Sequence, residues 1–200
     1  MTLSKLVHAL VAVLIVIATP HANAAILQVD SSGNLTGATG VTVGAKIYNV
    51  KFSSGSCVEL FNGCVQSAFT FGTQEDALLA GDALLSQVFI DGPLGIFDSV
   101  PGMVFGCKIN FYMCQSLIPF LQFNATSFIA ATPFNFSDTS RDVTYLGNGY
   151  AWANYIPDSS ANFALFTLAD SVAADVPEPS SSALMGLALA GLALVRRRKA

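Results

Sequence analysis

The chain has 200 residues, 52% of them hydrophobic and only 11% charged, with nine Lys and Arg against thirteen Asp and Glu for a formal charge of −4. A balance so poor in cations weighs against nucleic acid and anionic membrane surfaces as partners. Both histidines, His8 and His21, fall within the first 24 residues, so a body that starts beyond them has no histidine for Ser-His-Asp or Cys-His catalysis, for general base work or for a zinc site.

In chain order the first predicted element is an export signal over residues 1–24. Lys5 supplies the basic start, Leu6 to Ala18 is apolar apart from His8, and Ala22-Asn23-Ala24 fits an A-x-A cleavage site that leaves Ala25 as the first mature residue. The apolar run is about 13 residues, against the roughly 20 that a membrane-spanning helix needs.

Residues 25–170 follow as one exported domain of ordinary single-domain size. Between 25 and 176 only Lys46, Lys51, Lys108 and Arg141 face twelve carboxylates, so the trimmed body carries −8. No acidic cluster matches a calcium loop: Asp30-Ser31-Ser32-Gly33-Asn34 has too few carboxylates and a misplaced glycine. No metal and no cofactor is expected.

Runs rich in β-branched and aromatic residues predict strands at Ile26–Val29, Val41–Phe52, Ser67–Phe71, Val104–Phe111, Leu117–Phe123, Ser127–Ala131, Asp142–Leu146, Tyr150–Ile156 and Asn162–Leu168. Gly147-Asn148-Gly149 reads as a hairpin turn between two of them. One helix is predicted from Gln74 to about Phe89, capped by Thr73 and Asp76, with Ala77, Leu78, Gly81, Leu84, Leu85 and Val88 on its apolar face. Gly81 on that face predicts a close approach to a sheet. The expected fold is α+β and β-rich, a sandwich or curled antiparallel sheet with the amphipathic helix packed on it, and fifteen phenylalanines can fill the core.

Four cysteines fall in two pairs of equal spacing, Cys57 with Cys64 and Cys107 with Cys114. In an oxidising compartment such pairs read as disulfides, and of the three connectivities the two local bridges are favoured, with Asn62-Gly63 as a turn inside the first. The spacing is too long for a zinc knuckle and neither pair is a redox Cys-x-x-Cys.

The C-terminal segment is organised differently. Residues 171–182 are small, polar and proline-bearing, the composition of a flexible stalk. Ala183 to Val195 is apolar and followed by Arg196, Arg197, Arg198 and Lys199. As a helix the apolar stretch reaches about 20 Å at roughly 1.5 Å per residue, short of the roughly 30 Å hydrocarbon core. The basic end is expected on the cytoplasmic side of the inner membrane, with the body outside.

Val176-Pro177-Glu178-Pro179, the serine spacer, the Leu/Ala/Gly-rich stretch and the basic tail, in that order, resemble the PEP-CTERM sorting signal of Gram-negative bacteria. The resemblance implies processing by an exosortase near the Pro-Glu-Pro, a transient inner-membrane intermediate through 183–195, and delivery to the cell surface or extracellular matrix, in association with exopolysaccharide and biofilm.

Within the body there is no G-x-S-x-G, H-E-x-x-H, P-loop or G-x-G-x-x-G motif, and no catalytic residue is assigned. A carboxylate-based, carbohydrate-active hydrolase needs no histidine and remains the alternative, with Glu59, Asp91 or Asp98 as its candidates. On a two-residue period Tyr150 and Trp152 share one strand face, where an exposed pair would stack on sugar rings; buried aromatics on a hydrophobic sheet face fit the same pattern.

Overall fold

A computed structural model describes residues 24–108, 110–137, 141–155 and 160–169. Ala22 of the cleavage site, the stalk at 171–182, Val176 to Pro179, the apolar stretch 183–195 and Arg196 to Lys199 lie outside the described residues.

Seven strands form one mixed sheet. They are β1 (Ile26–Val29), β2 (Leu35–Val43), β3 (Lys46–Ser53), β6 (Met113–Asn124), β7 (Ser127–Phe136), β8 (Val143–Tyr150) and β9 (Ala161–Leu168), in the order β1-β2-β3-β9-β6-β7-β8. Two antiparallel meanders, β1-β2-β3 and β6-β7-β8, are joined by β9, which runs antiparallel to β3 and parallel to β6. The expectation of a purely antiparallel sheet is thereby corrected. A two-residue ladder, β4 (Asp91–Gly92) with β5 (Gly95–Ile96), stands apart. Among the described residues the α-helices are the one-turn α1 (Cys57–Leu60) and the longer α2 (Gln74–Gln87).

Period-two alternation gives the sheet two buried faces. Ile118, Ala131, Ala164 and Phe166 join a first core with Phe52, Leu84, Val88 and Phe89. Their chain neighbours Leu117, Ala130, Phe163 and Leu165 turn the other way, into a second core with Phe61, Phe69 and Phe128. Helix α2 covers the first face, and the loop closed by Cys57 and Cys64 covers part of the second. Each fully buried large side chain, such as Phe52, Phe128 or Phe163, contributes on the order of 1.5–3 kcal/mol.

Helix α2 packs chiefly on β2, β6, β7 and β8, strands on both sides of the central β3–β9 pair. At its N-terminus Thr73 Oγ1 accepts from Asp76 N (3.2 Å) and donates to Asp76 Oδ2 (2.9 Å), with Glu75 and Asp76 complementing the helix dipole in the first turn. The buried residues are Ala77, Ala80, Gly81, Ala83 and Leu84, while Leu78 and Leu85 are only half-buried. Small residues face the sheet because the helix lies close to it: a Cβ built on Gly81 would stand 2.5 Å from Thr144 Cγ2 on β8.

Several local expectations change. The run Val41–Phe52 is a hairpin rather than one strand, because Gly44 (φ 58°) permits a tight turn between β2 and β3. Among its described residues Val104–Phe111 forms no strand, only isolated bridges such as that of Val104 to Leu35; a 3-10 turn at Pro101–Met103 and Gly106 at φ 86° bend it. Ser67–Phe71 is also not a strand. β9 pairs with β6 over three residues only, and the segment around 66–70 fills the gap beyond, where Gln66 Nε2 donates to Phe120 O and Thr70 Oγ1 to Phe166 O, each at 2.6 Å. The Gly-Asn-Gly at 147–149 makes no turn, since β8 runs straight through it, paired residue for residue with β7. Gly149 is needed because a Cβ there would meet the ring of buried Phe128.

Candidate functional site

The loop that covers the second face stops short of its far end, and a cleft opens there. Cross-strand register decides its contents: Gln115 of β6 opposes Phe134 of β7, Thr132 of β7 opposes Tyr145 of β8, and Gln115 pairs with Ala161 of β9. Directly opposed residues share a face, so these side chains converge. The resulting cleft has a volume of about 240 Å³; Phe134, Tyr145 and Tyr155 stand around it, with Gln115 and Thr132 among its polar lining and the edge of β8 at Leu146 to Asn148 as one rim.

Tyr155 is held by two backbone hydrogen bonds with Gly55 (2.9 and 3.0 Å) and by edge-on contact with Phe163 at 5.3 Å. Its burial pushes the phenol above its usual range. Thr132 is 3% exposed, and its Oγ1 is buried without a hydrogen-bond partner, the situation that costs a folded protein most among polar groups. None of the lining residues carries a formal charge.

A strip of aromatic rings leads away from the cleft. Tyr145 meets Phe134 edge-on (5.6 Å between centroids), Phe134 stacks with Phe136 (6.0 Å), Phe136 with Tyr112 (6.5 Å), and Tyr112 touches Phe111 (4.7 Å). Tyr145 is 57% and Tyr112 54% exposed, so the strip faces solvent at both ends.

Tyr150 and Trp152, nominated on a two-residue period, are both exposed, at 74% and 70%. The buried-core reading of that pair is corrected, and so is its shared strand face: β8 ends at Tyr150, and Trp152 lies in the turn that follows. Neither lines the cleft. The sequence signal that would have found it is the alternation Phe128, Ala130, Thr132, Phe134, Phe136 along β7, read together with Tyr145.

Two of the three nominated carboxylates are engaged in local caps. Glu59 Oε2 accepts from Ser56 N and Ser56 Oγ, both at 2.9 Å, in a capping box at α1, and these bonds lower its pKa. Asp91 accepts from Ser99 Oγ and from the backbone N–H groups of Ser99 and Asp98, which lower its pKa as well. Asp98 is exposed beside it. Among the described residues no three His, Cys, Asp or Glu are grouped to hold a metal ion.

Cys57 is bonded to Cys64 and Cys107 to Cys114, with Cα–Cα distances of 5.0 and 5.7 Å. The first ring turns through Asn62, Gly63 and Cys64, all at positive φ, and places Phe61 on the second core. The second ties the segment after the Pro101–Met103 turn to the start of β6.

Residues 175–199 match the PEP-CTERM protein-sorting motif. The chain therefore carries a PEP-CTERM sorting signal at its C-terminus, which implies export to the cell envelope or surface and an exosortase as processing partner. The match covers the signal and not the body. No curated protein and no solved structure matches the chain. Among the described residues no helix is long and apolar enough to cross a membrane.

Proposed function

We propose that the mature protein is a non-catalytic component of the extracellular matrix that associates with exopolysaccharide and biofilm. It reaches the surface through an inner-membrane intermediate, held by 183–195 and released when an exosortase cuts near Pro177-Glu178-Pro179. The observation that carries the reading is the aromatic strip from Tyr145 to Phe111, exposed at Tyr145 and Tyr112, beside a cleft whose described lining is uncharged, since aromatic faces open to solvent suit the C–H faces of sugar rings. Its non-catalytic half is supported by the chemistry of the carboxylates: Glu59 and Asp91 are held ionised by caps, the opposite of the raised pKa that a general acid of a glycosidase needs.

The test uses protein recovered from the cell surface of the producer. Its intact mass should place the C-terminus near 177–179, and it should co-sediment with the purified matrix polysaccharide while the polymer's reducing ends stay constant. A chain still ending at Ala200 would refute the processing step. Reducing ends that accumulate, and cease to accumulate after one Asp or Glu substitution, would refute the non-catalytic reading.

A further inference from the structure

We infer that the cleft between β6, β7, β8 and Tyr155 is a binding site for one uncharged sugar ring of a polysaccharide whose chain continues over Phe136 and Tyr112. The inference rests on the matrix-association reading and adds to it a location and a chemical class.

Size sets the first limit. A volume of about 240 Å³ lies just below the roughly 300–1,000 Å³ of pockets that enclose drug-sized ligands, room for a single ring and not for a folded oligomer. The walls set the second. Phe134, Tyr145 and Tyr155 offer aromatic surface, which matches the C–H faces of a pyranose. The Gln115 amide adds donors and an acceptor, and the edge of β8 has backbone N–H and C=O groups that no further strand pairs. A ligand with hydroxyls around an apolar disc uses both kinds of surface.

Thr132 is the decisive residue. Its side chain lines the cleft, and among the described residues its hydroxyl is buried without a partner, a state shared by Ser54 Oγ, Asn135 Oδ1 and Thr144 Oγ1. A folded protein gains nothing from such a group unless something else bonds to it, and valine would fill the same space. A sugar hydroxyl entering the cleft would satisfy it, at the cost of moving a χ1 that is stiff for a β-branched residue on a paired strand.

Charge sets the class. Among the described residues the lining holds no carboxylate to select an amino sugar and no cation to select a uronic acid, and the −8 of the body repels an anionic polymer. A neutral hexose is what remains. Beyond the cleft, Phe136 and Tyr112 continue the aromatic surface for neighbouring units of the polymer.

The experiment compares the mature protein and its Tyr145→Ala, Thr132→Val and Trp152→Ala variants. Each is titrated calorimetrically with cellohexaose, laminarihexaose and an oligogalacturonide, and co-sedimented with the producer's matrix polysaccharide. At least one neutral hexasaccharide should bind, and the uronic one should not. Tyr145→Ala should weaken binding about tenfold and Thr132→Val about fivefold, while Trp152→Ala binds as the parent does. Thr132→Val should melt at the parent temperature or above it, so its loss of affinity cannot be attributed to unfolding. If the matrix polysaccharide still co-sediments but Tyr145→Ala and Thr132→Val bind it undiminished, the cleft assignment is overturned and matrix association stands. Tighter binding of the oligogalacturonide overturns the neutral class. Absence of any co-sedimentation overturns the association reading itself.

Discussion

Gly81 sets two magnitudes of opposite sign against each other. In a helix interior, Gly→Ala ordinarily stabilises by about 0.8–1.0 kcal/mol, so propensity alone predicts that Gly81→Ala raises the melting temperature. The structure predicts the reverse. The added Cβ would lie 2.5 Å from Thr144 Cγ2 and 2.8 Å from Thr144 Oγ1, about 1 Å inside the optimal carbon contact of roughly 3.5–4.0 Å. Thr144 cannot swing aside cheaply, because a β-branched side chain on a paired strand is stiff at χ1 and its Oγ1 is already buried. Overpacking of this kind costs about 1–3 kcal/mol, so against the propensity gain the net effect is a loss of up to about 2 kcal/mol, or a melting temperature lower by up to about 8 °C for a domain of this size. Thr144→Ala removes both clashing atoms, and the double variant should recover most of the loss, with a coupling of about 1–2 kcal/mol in a thermal or urea double-mutant cycle. A Gly81→Ala protein that melts at or above the parent temperature, or a double variant no better than Gly81→Ala alone, would refute the packing of α2 on β8.

Replacing Cys57 and Cys64 together by serine removes an eight-residue ring, which should cost about 2.5 kcal/mol by loop entropy and lower the urea midpoint; an unchanged midpoint would mean that the loop over the second core is held by packing alone. Gly149→Ala places a Cβ against the buried ring of Phe128 and should destabilise by about 1–3 kcal/mol, whereas in a hairpin turn it would leave Phe128 undisturbed, a difference that aromatic chemical shifts report. Acid should also weaken the fold. Bonds from Asn34 lower the Asp30 pKa, Ser56 lowers Glu59 and Ser99 lowers Asp91 from ordinary values of 3.8 for Asp and 4.5 for Glu. Carboxyls depressed in the folded state contribute stability that is complete above those ordinary values and lost as pH falls through the folded ones. Urea midpoints should therefore be level from these three groups above about pH 5 and decline below pH 4, and a midpoint that rises on acidification contradicts the assignment.

Local chemistry was legible wherever it decided the outcome by itself. The start of α2 followed from Thr73 and the acidic first turn, the first disulfide ring from Asn62-Gly63, and β1 and the interiors of β6, β7 and β9 from their β-branched and aromatic runs. The errors lie where a distant residue outvotes the local signal. Gly147-Asn148-Gly149 has the composition of a turn, but Thr132 and Phe128 across the ladder need the missing side chains and keep β8 straight. Ser67–Phe71 has the composition of a strand, but the gap between β6 and β9 takes it as a filler.

The site followed the same division. Aromatic residues near the end of the body were visible in the sequence, and Tyr145, Tyr150, Trp152 and Tyr155 all belong to that group. Which of them meet was not, because Gln115, Thr132, Phe134, Tyr145 and Tyr155 come from segments up to forty positions apart and only strand register brings them to one cleft.

The sequence by itself determined where this protein is sent: a sorting signal is read by a processing enzyme as a short linear string, so composition and order carry all of its information. The tertiary structure alone decided which face of the sheet stays open and which rings border it. That outcome depends on the parallel insertion of β9 and on where the Cys57–Cys64 loop ends, and both are settled by the joint burial of residues far apart in the chain.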